Sequence, residues 1–215
     1  MAERLRGEDS YGLLLILILL SLLVTALVGD SDSGRVAVTA MSGATTLFAF
    51  WTSRPSVAVL RAATIVVALS IVAAIAAVAF GSSATLDHVG RAGLAVITSA
   101  SPVVVARRLV RQPRVQGSTV LGALCIYLLL GLFFAYLYST IGAISPPFFA
   151  QQPTPTIVDY LYFSYATLTT VGYGDLTAGQ DLGRMLAVSE ALTGQLYLVT
   201  VVSLLVANLG RVRAR

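Results

Sequence analysis

Seven consecutive residues, Thr169-Thr170-Val171-Gly172-Tyr173-Gly174-Asp175, carry the chemistry of this chain. Gly172 and Gly174 lack side chains, and glycine takes positive φ at little steric cost. Alternating with Val171 and Tyr173, they let successive carbonyls point the same way, which an ordinary strand of L-residues forbids. Several such strands around one axis would form stacked cages of oxygens able to replace the hydration shell of a cation. Other chemistry is poorly represented. The single cysteine, Cys125, sits in an apolar run and reads as packing. The single histidine, His88, reads as a loop residue without a titrating partner. There is no Cys/His metal cluster and no nucleophile–base pair, so the sequence is not read as an enzyme and no cofactor is expected.

The elements around this stretch are membrane elements. Of 215 residues, 57% are hydrophobic and 11% charged, where soluble domains carry about 25% charged residues. About 20 apolar residues span a bilayer, and the runs Tyr11–Val28, Val36–Ser53, Ala62–Phe80, Ala92–Ala106, Ser118–Ile141 and Met185–Leu209 are the expected spans. The fourth is weak and is expected to be interrupted by Pro102. The first is too long for a signal-peptide core and lacks a good cleavage site. Arg61 is expected to open the third run, and 81–90 to form a loop holding Asp87 and His88. Between the last two spans, Thr156-Ile157-Val158-Asp159 resembles a capping box with an acid at N3. The segment 157–169 that follows is too short to cross a bilayer. It is expected to enter as a re-entrant helix, tolerated where protein or water covers its ends. Its C-terminal end carries roughly half a negative charge.

The charges fix an expected orientation. All 14 basic residues are arginine, and the formal net charge is +4. With six spans and both termini cytoplasmic, Arg4, Arg6, Arg54, Arg61, Arg107, Arg108, Arg111, Arg114, Arg211, Arg213 and Arg215 lie inside. Arg35, Arg91 and Arg184 lie outside, a strong positive-inside bias. The basic excess therefore reads as anchoring of membrane helices, with no nucleic-acid partner. The expected fold is an all-α membrane protein. A cytoplasmic segment 1–10 is followed by a four-helix peripheral, sensor-like domain, 11–110, and a basic linker, 107–117. The pore domain, 118–210, comprises an outer helix 118–141, a pore helix 157–169, a filter 170–174 and an inner helix 185–209. A cytoplasmic tail, 211–215, ends the chain.

Thr170-Val171-Gly172-Tyr173-Gly174-Asp175 resembles the selectivity filter of tetrameric potassium channels. The likeness extends over about 118–209, including Tyr162-Phe163-Ser164 before the filter. It also includes Glu190-Ala191-Leu192-Thr193-Gly194-Gln195-Leu196-Tyr197, which is similar to the inner helix of prokaryotic members. The resemblance implies a K⁺-selective channel of the plasma membrane, assembled as a homotetramer because one chain holds one filter copy. It implies that the carbonyls of Thr170, Val171, Gly172 and Tyr173, with the Thr170 hydroxyl, coordinate K⁺. Thr169, Tyr162 and Asp175 support the filter, with Asp175 either charging the outer mouth or hydrogen-bonding to Tyr162. Some members place an acid four residues before the filter threonine. Here that position is Ala166, and Glu190, a carboxylate in an apolar run, is expected to stabilise the back of the filter instead. Gly194 is read as a gating hinge or a packing glycine, with Val202 and Val206 as a possible apolar gate.

Arg108, Arg111 and Arg114 have the spacing of a voltage sensor, but Pro113 interrupts them and the apolar part of the fourth run carries no charge. Steep gating needs several charges per subunit in the field, so strong voltage gating is not expected. A transporter built on a related pore and a non-conducting protein that keeps the fold are the alternative readings.

Overall fold

The computed structural model describes residues 10–28, 31–53, 55–79, 84–110 and 117–203. Among the described residues the secondary structure is helical, apart from a one-residue bridge between Phe149 and Ala178. The helices are α1 (Ser10–Val28), α2 (Asp32–Ser53), α3 (Val57–Ala79), α4 (Ala84–Val110), α5 (Gly117–Ile144), α6 (Ile157–Leu168) and α7 (Asp181–Tyr197). A π-helical turn, Leu198–Val202, continues α7.

Burial along these helices is inverted relative to a soluble protein. On α1 the buried stripe is Tyr11, Leu14, Ile18, Ser21 and Thr25, at helical spacing, while Ile16, Leu19, Leu23 and Leu27 are exposed. On α3 the buried residues are small (Ala63, Ser70, Ala73, Ala74 and Ala77, with Val67), and Ile65, Leu69, Val72 and Ile75 face outward. Small and hydroxyl residues at helix contacts with large apolar residues outside is the pattern of helices surrounded by lipid. Hydroxyls also bridge helices. Tyr136 of α5 donates to Ser42 of α2 at 2.7 Å, and Ser42 lies 3.4 Å from Ser21 of α1.

Among the described residues, four segments are long and apolar enough to cross a membrane: Ser10–Val28, Val57–Ala79, Ala92–Val110 and Gly117–Ile144. Two of the six expected spans are not among them. In α2, Asp32 and Arg35 open the helix, and Thr39, Ser42, Thr45, Thr46 and Thr52 dilute its apolar face. The expected span 185–209 runs beyond the described residues, which include its α-helical part up to Tyr197.

Several boundaries differ from those expected. The segment 81–90 is not all loop, because α4 starts at Ala84 and takes in Asp87 and His88. Helix α3 starts at Val57, so Arg61 lies within it. Helix α7 starts at Asp181, four residues before the apolar run, in a polar first turn where Arg184 lies 3.6 Å from Asp181. Pro102 does not interrupt α4. A proline removes the N–H that would bond the carbonyl four residues earlier, here that of Thr98. The Ser101 hydroxyl donates to that carbonyl instead, at 2.8 Å, the kind of side-chain repair that lets prolines persist in membrane helices.

Helices α1 and α4 pack on α5, and α5 in turn packs on α6 and α7. Cys125 of α5 is fully buried, with its Sγ 3.4 Å from the Tyr11 carbonyl. Tyr138, Phe148, Phe149, Tyr160 and Phe163 form an aromatic cluster at the end of α5. It clamps the 145–156 connection onto α6. The start of α6 is a full capping box: the Asp159 N–H donates to Thr156 Oγ1 at 3.3 Å, and the Thr156 N–H donates to Asp159 Oδ2 at 2.7 Å. Such a cap contributes about 1 kcal/mol.

Candidate functional site

Helix α6 is 12 residues long, so it spans roughly 18 Å at 1.5 Å per residue. Its C-terminal end delivers the chain into 169–175. Tyrosines hold this arrangement against α5. Tyr165 of α6 donates to the Leu128 carbonyl at 2.7 Å, Tyr127 of α5 to the Leu168 carbonyl at 3.0 Å, and Tyr197 of α7 to the Ala123 carbonyl at 2.7 Å. The last carbonyls of α6 are therefore accounted for. Leu168 O accepts from Tyr127, Thr167 O from the Thr170 N–H at 2.9 Å, and Ala166 O from the Gly172 N–H at 3.1 Å.

Beyond α6 the backbone alternates. Thr170, Gly172 and Gly174 have φ of +59°, +53° and +80°, and they are the positive-φ residues among those described. Val171 and Tyr173 lie between them with ordinary negative φ. Gly172 and Gly174 were legible as positive-φ positions. Thr170 was not, because a β-branched residue at positive φ is a genuine outlier and costs about 1–2 kcal/mol. Strain of this kind persists where surrounding contacts over-determine it and clusters at functional sites.

The side chains at this stretch lie open within the single chain. Val171 is 53% exposed and Tyr173 71%. The Tyr173 ring stacks on Tyr162 of α6, with centroids 6.0 Å apart and planes 7° apart. Tyr162 also donates to Asp175 Oδ2 at 2.8 Å. Thr169 caps α6, and its hydroxyl donates to Tyr165 O at 2.6 Å.

Behind α6, Glu190 of α7 is completely buried and joins three helices. Its Oε2 accepts from Tyr138 of α5 at 2.7 Å, and its Oε1 lies 2.5 Å from the Ser164 hydroxyl of α6. Ser164 Oγ is also 2.7 Å from the carbonyl oxygen of Gly131. Ser164 has one proton and faces two oxygens, and a carbonyl cannot donate. Its hydroxyl therefore sits between two acceptors, the Glu190 carboxyl group and the Gly131 carbonyl. Sequence reasoning did not single out Tyr138, and nothing in its apolar surroundings marked it. The buried carboxylate did signal that hydroxyl partners had to exist.

Helix α7 runs without a break through Gly194, and the change of helix type comes at Leu198–Val202. A Cβ at 194 would collide with the Leu168 carbonyl oxygen and touch the Leu168 side chain. This glycine thus lets the α7 backbone approach the end of α6. The next residue, Gln195, donates from Nε2 to Thr170 Oγ1 at 2.9 Å. Val206 and the side chain of Val202 lie outside the described residues, as do Arg111, Arg114 and both terminal segments. Of the residues with sensor spacing, Arg108 ends α4 with its guanidinium 5.7 Å from the Tyr11 ring centroid. Among the described residues, no cluster of His, Cys, Asp and Glu is grouped to hold a metal ion.

Residues 122–211 match the family model described as "Ion channel". The match begins in α5 and takes in α6, the alternating stretch and α7. The chain is 34% identical over 100 residues to two pore potassium channel a of Oryza sativa subsp. japonica, covering 46% of this chain and 27% of that protein. It is 39% identical over 67 residues to two-pore potassium channel 1 of Arabidopsis thaliana, covering 29% and 18%. Two-pore potassium channel 4 of the same plant is 32% identical over 87 residues, covering 39% and 31%. The matched stretch thus spans less than a third of each relative. No solved structure matches the chain.

Proposed function

We propose that this chain is one subunit of a potassium-selective channel that carries K⁺ passively across a cell membrane. The observation that carries the reading is the alternation of backbone handedness at Thr170, Gly172 and Gly174, within Thr-Val-Gly-Tyr-Gly and inside the segment similar to ion channels. In this reading the carbonyls of Thr170, Val171, Gly172 and Tyr173, with the Thr170 hydroxyl, replace the hydration shell of K⁺. Tyr162, Thr169, Asp175 and Glu190 support the filter from behind.

One chain supplies one wall of the cage, so the pore is a ring of copies, most simply a homotetramer. Two exposed apolar features support this reading. Val171 and Tyr173 lack cover in the single chain, and Met185, Val188, Leu192, Leu196 and Val199 leave one face of α7 open. Contiguous apolar surface of this kind marks contacts with lipid or with other subunits. The remaining helices complete a multi-pass protein of six spans, 11–110 peripheral and 118–210 forming the pore, with both termini cytoplasmic by the arginine distribution. With no charge in the apolar part of α4, voltage is not the main stimulus. Val202 and Val206 on the inner helix remain the proposed gate, and Gly194 near the filter a packing glycine or a hinge.

The test is K⁺ flux from liposomes containing the purified chain. The expected result is K⁺ efflux, blocked by Ba²⁺ and not matched by Na⁺. Equal Na⁺ and K⁺ flux would point to an unselective pore. Flux that requires a counter-transported ion would favour the transporter reading, and the absence of flux would favour a non-conducting protein.

A further inference from the structure

We propose that Gln195 is a positioning residue for the inner end of the ion path, acting through the Thr170 hydroxyl. The inference rests on the channel reading and adds a residue to it. Thr170 is the strained position of the stretch, a β-branched residue at φ +59°. Its backbone N–H is held by Thr167 O at 2.9 Å, and the next turn by the Gly172 N–H on Ala166 O at 3.1 Å. Those bonds set the backbone and leave the hydroxyl free to rotate. The hydrogen bond at 2.9 Å from Gln195 Nε2 reaches the side chain itself.

That donor occupies one lone pair of Thr170 Oγ1. A hydroxyl has two lone pairs and one proton, so the second lone pair remains free for a cation while the rotor is fixed. The backbone that carries this amide approaches α6 closely, since the residue before it, Gly194, lies against the Leu168 carbonyl. Three residues later α7 changes to a π-helical turn, a feature that recurs at functional sites. Any shift of α7 relative to α6 must stretch the Gln195–Thr170 bond, so the inner helix and the innermost ion ligand move together.

The probe is Ba²⁺ applied from the inner side of the reconstituted full chain. It is close to K⁺ in size with twice the charge, so its dwell time is sensitive to the placement of oxygen ligands. Gln195→Met keeps side-chain length and removes the donor. The expected result is about tenfold faster Ba²⁺ release, the effect of losing one hydrogen bond of ordinary strength, with the oligomer unchanged in size. Gln195→Asn, which is too short to reach, should behave the same way and carries the test if the Met variant does not fold. In a Thr170→Val background, Gln195→Met should add little, because residues acting through one contact are non-additive. Unchanged Ba²⁺ release in both Gln195 variants, or full additivity with Thr170→Val, overturns this inference alone. A wild-type protein that passes no K⁺ overturns the channel reading and this inference with it.

Discussion

Glu190→Ala sharply lowers the thermal midpoint of the purified protein, while Glu190→Gln leaves it near the wild-type value. The contrast follows from the hydrogen bonds. Glu190 is completely buried, and its carboxyl group takes the Tyr138 hydroxyl on one oxygen and meets Ser164 on the other. Truncation to alanine strands the Tyr138 donor in an apolar cluster and opens a cavity between α5, α6 and α7. An unsatisfied buried group and the cavity together cost about 2–4 kcal/mol. Glutamine has the same shape. Its carbonyl can accept from Tyr138 and its amide can donate to Ser164, which still donates to Gly131, so the change is within about 1 kcal/mol. The measurement is thermal denaturation in detergent, with K⁺ flux as a second readout. A large loss with glutamine, equal to that with alanine, would mean that the negative charge itself is required. It would contradict a role for Glu190 that rests on its hydrogen bonds to Tyr138 and Ser164.

Gly194→Ala produces the second large effect, and it separates two roles for this glycine. A methyl group at 194 meets the Leu168 carbonyl oxygen. That carbonyl is already held by Tyr127 at 3.0 Å and has little room to give way. Overpacking of this kind costs about 1–3 kcal/mol. The displacement also separates Gln195 from Thr170, so K⁺ flux falls together with stability. If Gly194 served only as a flexible joint, alanine would stabilise the helix by about 1 kcal/mol and would alter only the fraction of time the pore is open. Thermal denaturation of Gly194→Ala, compared with Ser189→Ala on the exposed face of the same helix, decides between them. A Gly194→Ala midpoint at or above that of the control would exclude the packing role.

The sequence was most legible where local chemistry decides the structure. Thr156 and Asp159 announced a capping box because the two side chains satisfy each other's backbone N–H groups without outside help. Gly172 and Gly174 announced positive φ for the same local reason. Thr170 could not be read this way. Its backbone is held at the end of α6 by the Thr170 N–H on Thr167 O and the Gly172 N–H on Ala166 O, bonds that no residue type announces. The start of α7 at Asp181 was missed because an apolar-run reading discards polar first turns such as Asp181–Arg184. Pro102 suggested a break, and the repair by Ser101 became visible only once the helix was built. Glu190 was recognisable as a site needing partners, but Tyr138 and Ser164 come from two other helices, and no spacing rule connects them to it.

In the proposed channel the carbonyls of 170–173 form the K⁺-selective path. The most direct measurement is the reversal potential of reconstituted single channels with K⁺ on one side of a bilayer and Na⁺ on the other. A path of this kind gives a strongly K⁺-selective reversal potential that shifts by about 59 mV per tenfold change in K⁺, the single-charge scale at 25 °C. A reversal potential near zero under the same bi-ionic conditions would contradict it.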